Sequence, residues 1–175
     1  MAKRPTKAFI PAELFEFGIG NIIVARFRGS GEVECAMFLA DVHCLGIKNA
    51  MYRKIGNEEY EDFLRDAFGD AKYEEQPVEC ARKLVEEAVI YARSLGFAPH
   101  RDFKKAWRVM GGIDPKMCEC DYTFGSDGKP HYVQGPHDTP AFRKNVIRTL
   151  TNRLGPSNFH WTLEAEGSED VLDAL

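Results

Sequence analysis

An α+β fold is what the sequence predicts, with a mixed or antiparallel sheet built from two hairpins and packed by about four helices. Three observations carry that prediction. Apolar and β-branched residues run from Ile22 to Phe27 and resume from Val33 to Val42, on either side of the reversal Arg28-Gly29-Ser30-Gly31-Glu32. A stripe of Val78, Ala81, Leu84, Val85, Ala88, Val89, Ala92 and Leu95 recurs at helical spacing. Asp127-Gly128 separates Cys120–Phe124 from His131–Gln134, which is the signature of a second hairpin. At 175 residues the chain supports one well-buried core and is short for two. The expected organisation is an N-terminal arm over 1–17, a single α+β domain over 18–163 and a mobile acidic tail over 164–175.

Taken in order, Gly18 and Gly20 precede the first strand, but GIGN lacks the later glycine of a dinucleotide loop. The arm CAMFLADV is almost continuously apolar, so it should lie inside its sheet with both faces covered. After a turn at Leu45-Gly46, Asn57 is a good helix cap, and Tyr60, Phe63, Leu64, Ala67 and Phe68 form one face before Gly69. Pro77 opens the long helix to Leu95, and Gly96 ends it. Arg101 to Met110 reads as a short helix closed by Gly111-Gly112. Thr139 and Pro140 then start a helix whose stripe is Phe142, Val146, Ile147, Leu150 and Leu154, with Arg143 projecting into it. A charge facing inward needs a partner. Phe159 to Leu163 is a candidate last strand.

Composition narrows the classes. Hydrophobic residues at 44% and charged residues at 29% are ordinary for a cytoplasmic globular protein. No apolar run approaches the roughly 20 residues a membrane helix needs. A net charge of −4 argues against a binder that is basic all over. Cys35, Cys44, Cys80, Cys118 and Cys120 are odd in number and irregularly spaced, so reduced thiols are expected.

Two polar clusters are candidate sites. Asp41, His43, Cys44 and Lys48 follow the most strongly β-patterned stretch, and His100 is a possible contributor from the loop after the long helix. His137, Asp138 and Arg143 sit where a loop enters a helix N-terminus, where unpaired N–H groups and the dipole favour an anion. There Arg143 could clamp phosphate or carboxylate and His137 could carry a proton, unless Asp138 simply braces Arg143. Arg101, Lys104, Lys105 and Arg108 would add backbone contacts to a polyanion, unless they are a solvated face. Cys44 as a nucleophile would need His100, His131 or His137, because adjacent strand residues face opposite ways. Cys118 and Cys120 with His131 miss the usual zinc spacing, and four ligands would require Cys44, Cys80 or another His brought in by the fold.

Three segments, DVHCLGIKNA, CARKLVEEAVIYARSLGFAPHRDF and FGSDGKPHYVQGPHDTP, resemble an uncharacterised bacterial domain associated with proteins bearing a SEC-C-type metal-binding motif. The resemblance spans about Gly18 to Trp161 and implies an intracellular bacterial protein with no established activity. The clustered cysteine and histidine ending of that motif is missing from this chain, so its zinc is not implied.

The functional expectation is a cytoplasmic domain binding a phosphate-bearing ligand, RNA or another nucleic acid, with hydrolysis as its possible chemistry. Catalysis would fall to His137, Asp138, His43 and Asp41, and ligand binding to Arg143, Lys48, His100, Arg101, Lys104 and Lys105. No cofactor and no metal follow from the motifs. The alternative is a non-catalytic protein-protein interaction module whose polar clusters are structural and whose acidic tail engages the partner.

Overall fold

Alternation of period two sorts the first strand pair onto two faces: Ile22 and Val24 point one way, Ile23 and Ala25 the other, and all four are fully buried. The sheet therefore has to be covered on both sides. In the computed structural model, which describes residues 5–163, strands β1 (Thr6–Pro11), β2 (Ile19–Phe27), β3 (Glu32–Asp41), β4 (Gly46–Gly56) and β5 (Tyr73–Gln76) form one antiparallel sheet. Their spatial order is β4-β3-β2-β1-β5. The first hairpin is present as β2 and β3, and the continuous apolar arm is β3, which lies between β2 and β4.

Helix α2 (Tyr60–Phe68), entered through a 3₁₀ turn over Asn57–Glu59, covers one face with Tyr60, Leu64 and Phe68. Helix α3 (Val78–Ser94) and the short α4 (Phe103–Trp107) with its 3₁₀ extension Arg108–Met110 cover the other. Tyr60 is the exception to good pairing in this core, because its hydroxyl finds no hydrogen-bond partner among the described residues. Tyr60→Phe is expected to leave stability unchanged or raise it by about 1 kcal/mol, since it removes an unsatisfied buried group. Urea denaturation checks this, and a clear loss of stability would show that the hydroxyl is engaged.

A satellite core lies beyond the sheet, where Cys44, Leu45 and Leu95 pack with Tyr132, Val146, Leu150 and Phe159. Its frame is α5 (Pro140–Leu154) and the parallel pair β6 (His131–Val133) and β7 (His160–Thr162). Thr139 caps α5 by accepting from the Phe142 N–H, with Pro140 in the first turn, as the sequence implies.

Four details depart from the sequence reading. The second hairpin is reduced to a turn with a single bridge, Ser126 to Lys129, and the residues after it pair with β7 instead. Residues read as an N-terminal arm supply β1, seated between β2 and β5, and the four-residue helix α1 (Leu14–Phe17). Gly46 starts a strand rather than a loop. Cys80 and Cys118 are joined as a disulfide, correcting the expectation of five reduced thiols; Cys80 lies in the first turn of α3, and its Cα is 4.9 Å from that of Cys118. The acidic tail lies outside the described residues. Among the described residues no helix is long and apolar enough to cross a membrane.

Candidate functional site

The face that buries Ile22 and Val24 continues along β2 to Arg26, because residues two apart share a side, and Arg28 follows just past the end of the strand. Register carries the change across the sheet: Arg26 pairs with Glu34 on β3, and Glu34 with Lys54 on β4, with Tyr52 one step inward opposite Ala36. The core is thus apolar under the helices and polar at this end. Lys105 and Arg108, from α4 and its extension, stand over that end and close a cleft of about 300 Å³ lined by Arg26, Arg28, Glu34, Tyr52, Lys54, Lys105, Arg108 and Val109.

Five cations and one carboxylate line the cleft, a net of four positive charges. Glu34 is committed to Arg28, whose Nε donates to it at 2.7 Å, and to the Tyr52 hydroxyl at 3.1 Å. Burial alone would raise the Glu34 carboxyl, but those hydrogen bonds and the charges of Arg28 and Lys54 outweigh it and hold it below the usual range. Arg26 donates to the carbonyls of Val109 and Gly111, the latter at 2.9 Å, which fixes its guanidinium without neutralising it. The Lys105 ammonium lies 5.8 Å from the centre of the Tyr52 ring.

The two clusters singled out in the sequence meet elsewhere, through a filled contact rather than an opening. Asp138 accepts from the Tyr132 hydroxyl at 2.7 Å, the Gly135 N–H at 2.8 Å and the Lys48 ammonium at 3.4 Å. The space is tight, since a Cβ at Gly135 would stand 3.0 Å from Lys48 Nζ. Asp41 is buried and accepts from the backbone N–H groups of His43 and Cys44 at 3.0 and 2.9 Å, tying the turn after β3. Burial pushes its carboxyl up, against the pull of backbone donors at Cys44, Leu45 and His43 and the charge of Lys48. His43 Nε2 lies 3.0 Å from the Phe15 carbonyl, a donor's position. These residues are built as braces.

Arg143 is half-buried and donates to Gln134 at 2.9 Å, while Asp138 takes Lys48 as its ion-pair partner. His137 is exposed. His100 accepts the Asp102 N–H at 3.2 Å on Nδ1, and its own N–H bonds to Ile47 on β4. Of the basic helix residues, Lys105 and Arg108 line the cleft, whereas Lys104 is exposed outside its lining and Arg101 is exposed beside Asp102. Cys44 is buried, and burial together with the Asp41 charge pushes its thiol up, which makes it a poor nucleophile at neutral pH.

Sequence reading placed Arg28 in the reversal after the first apolar run and did not follow the spacing of Arg26 and Arg28 onto the core face. It missed Tyr52 and Lys54 with the strand that carries them. It also missed His160, whose ring packs edge-on to His131, itself stacked on His43. For metal, among the described residues the three sulfurs of Cys80, Cys118 and Cys120 converge, all within 4.8 Å of one another.

Comparison with known proteins returns no matching family model, no matching curated sequence and no matching solved structure. The cleft has to be read from its own chemistry.

Proposed function

We propose that the chain binds a phosphate-bearing polyanion, RNA or another nucleic acid, in the cleft between α4 and the polar end of the sheet. The observation that carries this reading is the net of four positive charges in one concavity of a chain whose total is −4. Positive charge concentrated against the sign of the whole molecule is a local field, suited to capturing a phosphodiester backbone without attracting every polyanion to every face. Contacts of this kind position a backbone and carry no base preference.

Binding, without hydrolysis, is what the arrangement supports. Among the described residues no imidazole lines the cleft, and its one carboxylate accepts from Arg28 and from the Tyr52 hydroxyl, which help hold it below the usual range. The acids first considered for proton transfer, Asp41 and Asp138, are each engaged by backbone donors.

The test is titration of the protein with labelled single-stranded RNA across a salt series. Four phosphate contacts predict that log K falls with log salt at a slope of about −3. Lys54, Lys105 and Arg108 are exposed, so Lys54→Glu/Lys105→Glu/Arg108→Glu should fold normally. Reversing them is expected to weaken binding at low salt at least about 100-fold. Reversing Arg101 and Lys104, which lie outside the lining, should change it little. Absence of binding at low salt, or a triple variant that binds like wild type, would end the proposal.

A further inference from the structure

The three converging sulfurs stand on two segments that the fold presses together. Cys80 is in the first turn of the 17-residue helix α3, and Cys118 follows the 3₁₀ turn Pro115–Met117. Two clamps hold that second segment. Arg82 donates to the carbonyls of Met110 and Ile113 at 3.0 and 2.6 Å, and the Lys83 ammonium donates to the Cys120 carbonyl. The Tyr122 hydroxyl reaches the Cys80 carbonyl at 3.2 Å. Cys80 and Cys118 are buried, and Cys120, the one free thiol of the three, is exposed with its sulfur 3.9 Å from that of Cys80.

We propose that, once the disulfide is reduced, Cys80, Cys118 and Cys120 form a three-thiolate site for a thiophilic divalent cation of the zinc class, with the fourth position open to solvent. Metal–sulfur bonds of about 2.3 Å put the sulfurs of a tetrahedral site about 3.8 Å apart. The Cys80–Cys120 separation already matches that spacing, and reduction lets the other pair relax to non-bonded distance. Cys80 lies at a helix N-terminus, whose dipole stabilises negative charge, and the Lys83 ammonium lies against the loop that carries Cys120.

The chemistry balances in two steps. A dithiol transfers two electrons and two protons to the Cys80–Cys118 bond and closes into its own disulfide, leaving three thiols at the site. The cation then replaces three S–H protons, which are released, and water takes the open position. A small-molecule disulfide that takes two electrons from the Cys80 and Cys118 thiolates, and leaves as two thiols, reforms their bond, removes two of the three ligands and releases the cation, so thiol redox state and metal occupancy exclude one another. Nothing in this site depends on the basic cleft, and either proposal can fail alone.

The full chain, reduced with a dithiol that is then removed under argon, is titrated with Co²⁺ and afterwards with Zn²⁺. The expected result is a near-ultraviolet thiolate-to-cobalt absorption that saturates at one cobalt per chain, bleaches when zinc is added and is missing from the oxidised protein. Cys120→Ser alters an exposed side chain and should fold; it is expected to lower affinity at least about 100-fold and to cut the charge-transfer intensity by about one third. Cys35→Ser should titrate like wild type. Lack of the band in the reduced protein overturns the proposal. So does equal binding by oxidised and reduced chains, or an unchanged titration of Cys120→Ser.

Discussion

Asp138→Ala is expected to destabilise the protein by about 3–5 kcal/mol, the range for breaking a buried ion pair from one side. The substitution takes an acceptor from the buried Tyr132 hydroxyl and from the Gly135 N–H, and it strands the Lys48 ammonium, whose side chain is only 14% exposed. Asp138→Asn keeps much of the shape and isolates the charge. Its difference from wild type should depend on pH with a definite sign. Burial alone would raise the Asp138 carboxyl, but the Gly135 N–H, the Tyr132 hydroxyl and Lys48 outweigh it and hold it below the ordinary value. An acid whose folded pKa is depressed contributes stability above its unfolded value of about 3.9, and that contribution disappears as pH falls through the folded value. Chemical denaturation at pH 7 should therefore show the full wild-type advantage, and the gap should close below about pH 4. Asp41, whose carboxyl is shifted upward, contributes in the opposite direction and cancels in the comparison because both proteins carry it. If Asp138→Ala loses less than about 1 kcal/mol, the junction is not the brace described.

Gly46→Ala should cost about 2–6 kcal/mol, from about 1–3 for a left-handed backbone and about 1–3 for overpacking. Gly46 has φ +68°, and a Cβ there would stand 2.6 Å from the Ala92 Cβ and 2.8 Å from the Ala88 carbonyl oxygen. Neither neighbour is the end of a flexible chain, so helix α3 itself would have to shift. Gly31 separates the two contributions. Its φ is +79° with nothing within 4 Å of a built Cβ, so Gly31→Ala carries the backbone cost alone. Denaturant midpoints for both variants decide the matter, and equal losses would show that the approach of β4 to α3 is not a tight one.

The fold was legible where pattern is local. Two glycines between apolar runs marked the β2–β3 reversal, and a stripe of alanines and branched residues marked α3. β4 escaped because it is an edge strand, and its Lys48, Asn49, Arg53 and Lys54 dilute the alternation. β1 escaped because its outer partner β5 is the four residues YEEQ, which carry almost no strand signal. The cleft was out of reach for a different reason. It joins Arg26 from β2, Arg28 just past its end, Lys54 from β4 and Lys105 and Arg108 from α4 and its extension, and only register and helix placement bring them together. Arg143, expected on the buried stripe of α5, is half-buried, and its contact with Gln134 was not legible because Gln134 enters through the loop before α5. The cysteine trio shows the same limit, with 38 residues between Cys80 and Cys118.

All five strands of the main sheet come from residues 6–76, as does α2, which covers one face. The helices that cover the other face begin at Val78. A chain synthesised only up to that point carries every residue of the sheet but none of the helices that cover Ile22, Val24 and Phe38. An apolar sheet face left without its helices is the kind of surface on which incomplete chains aggregate.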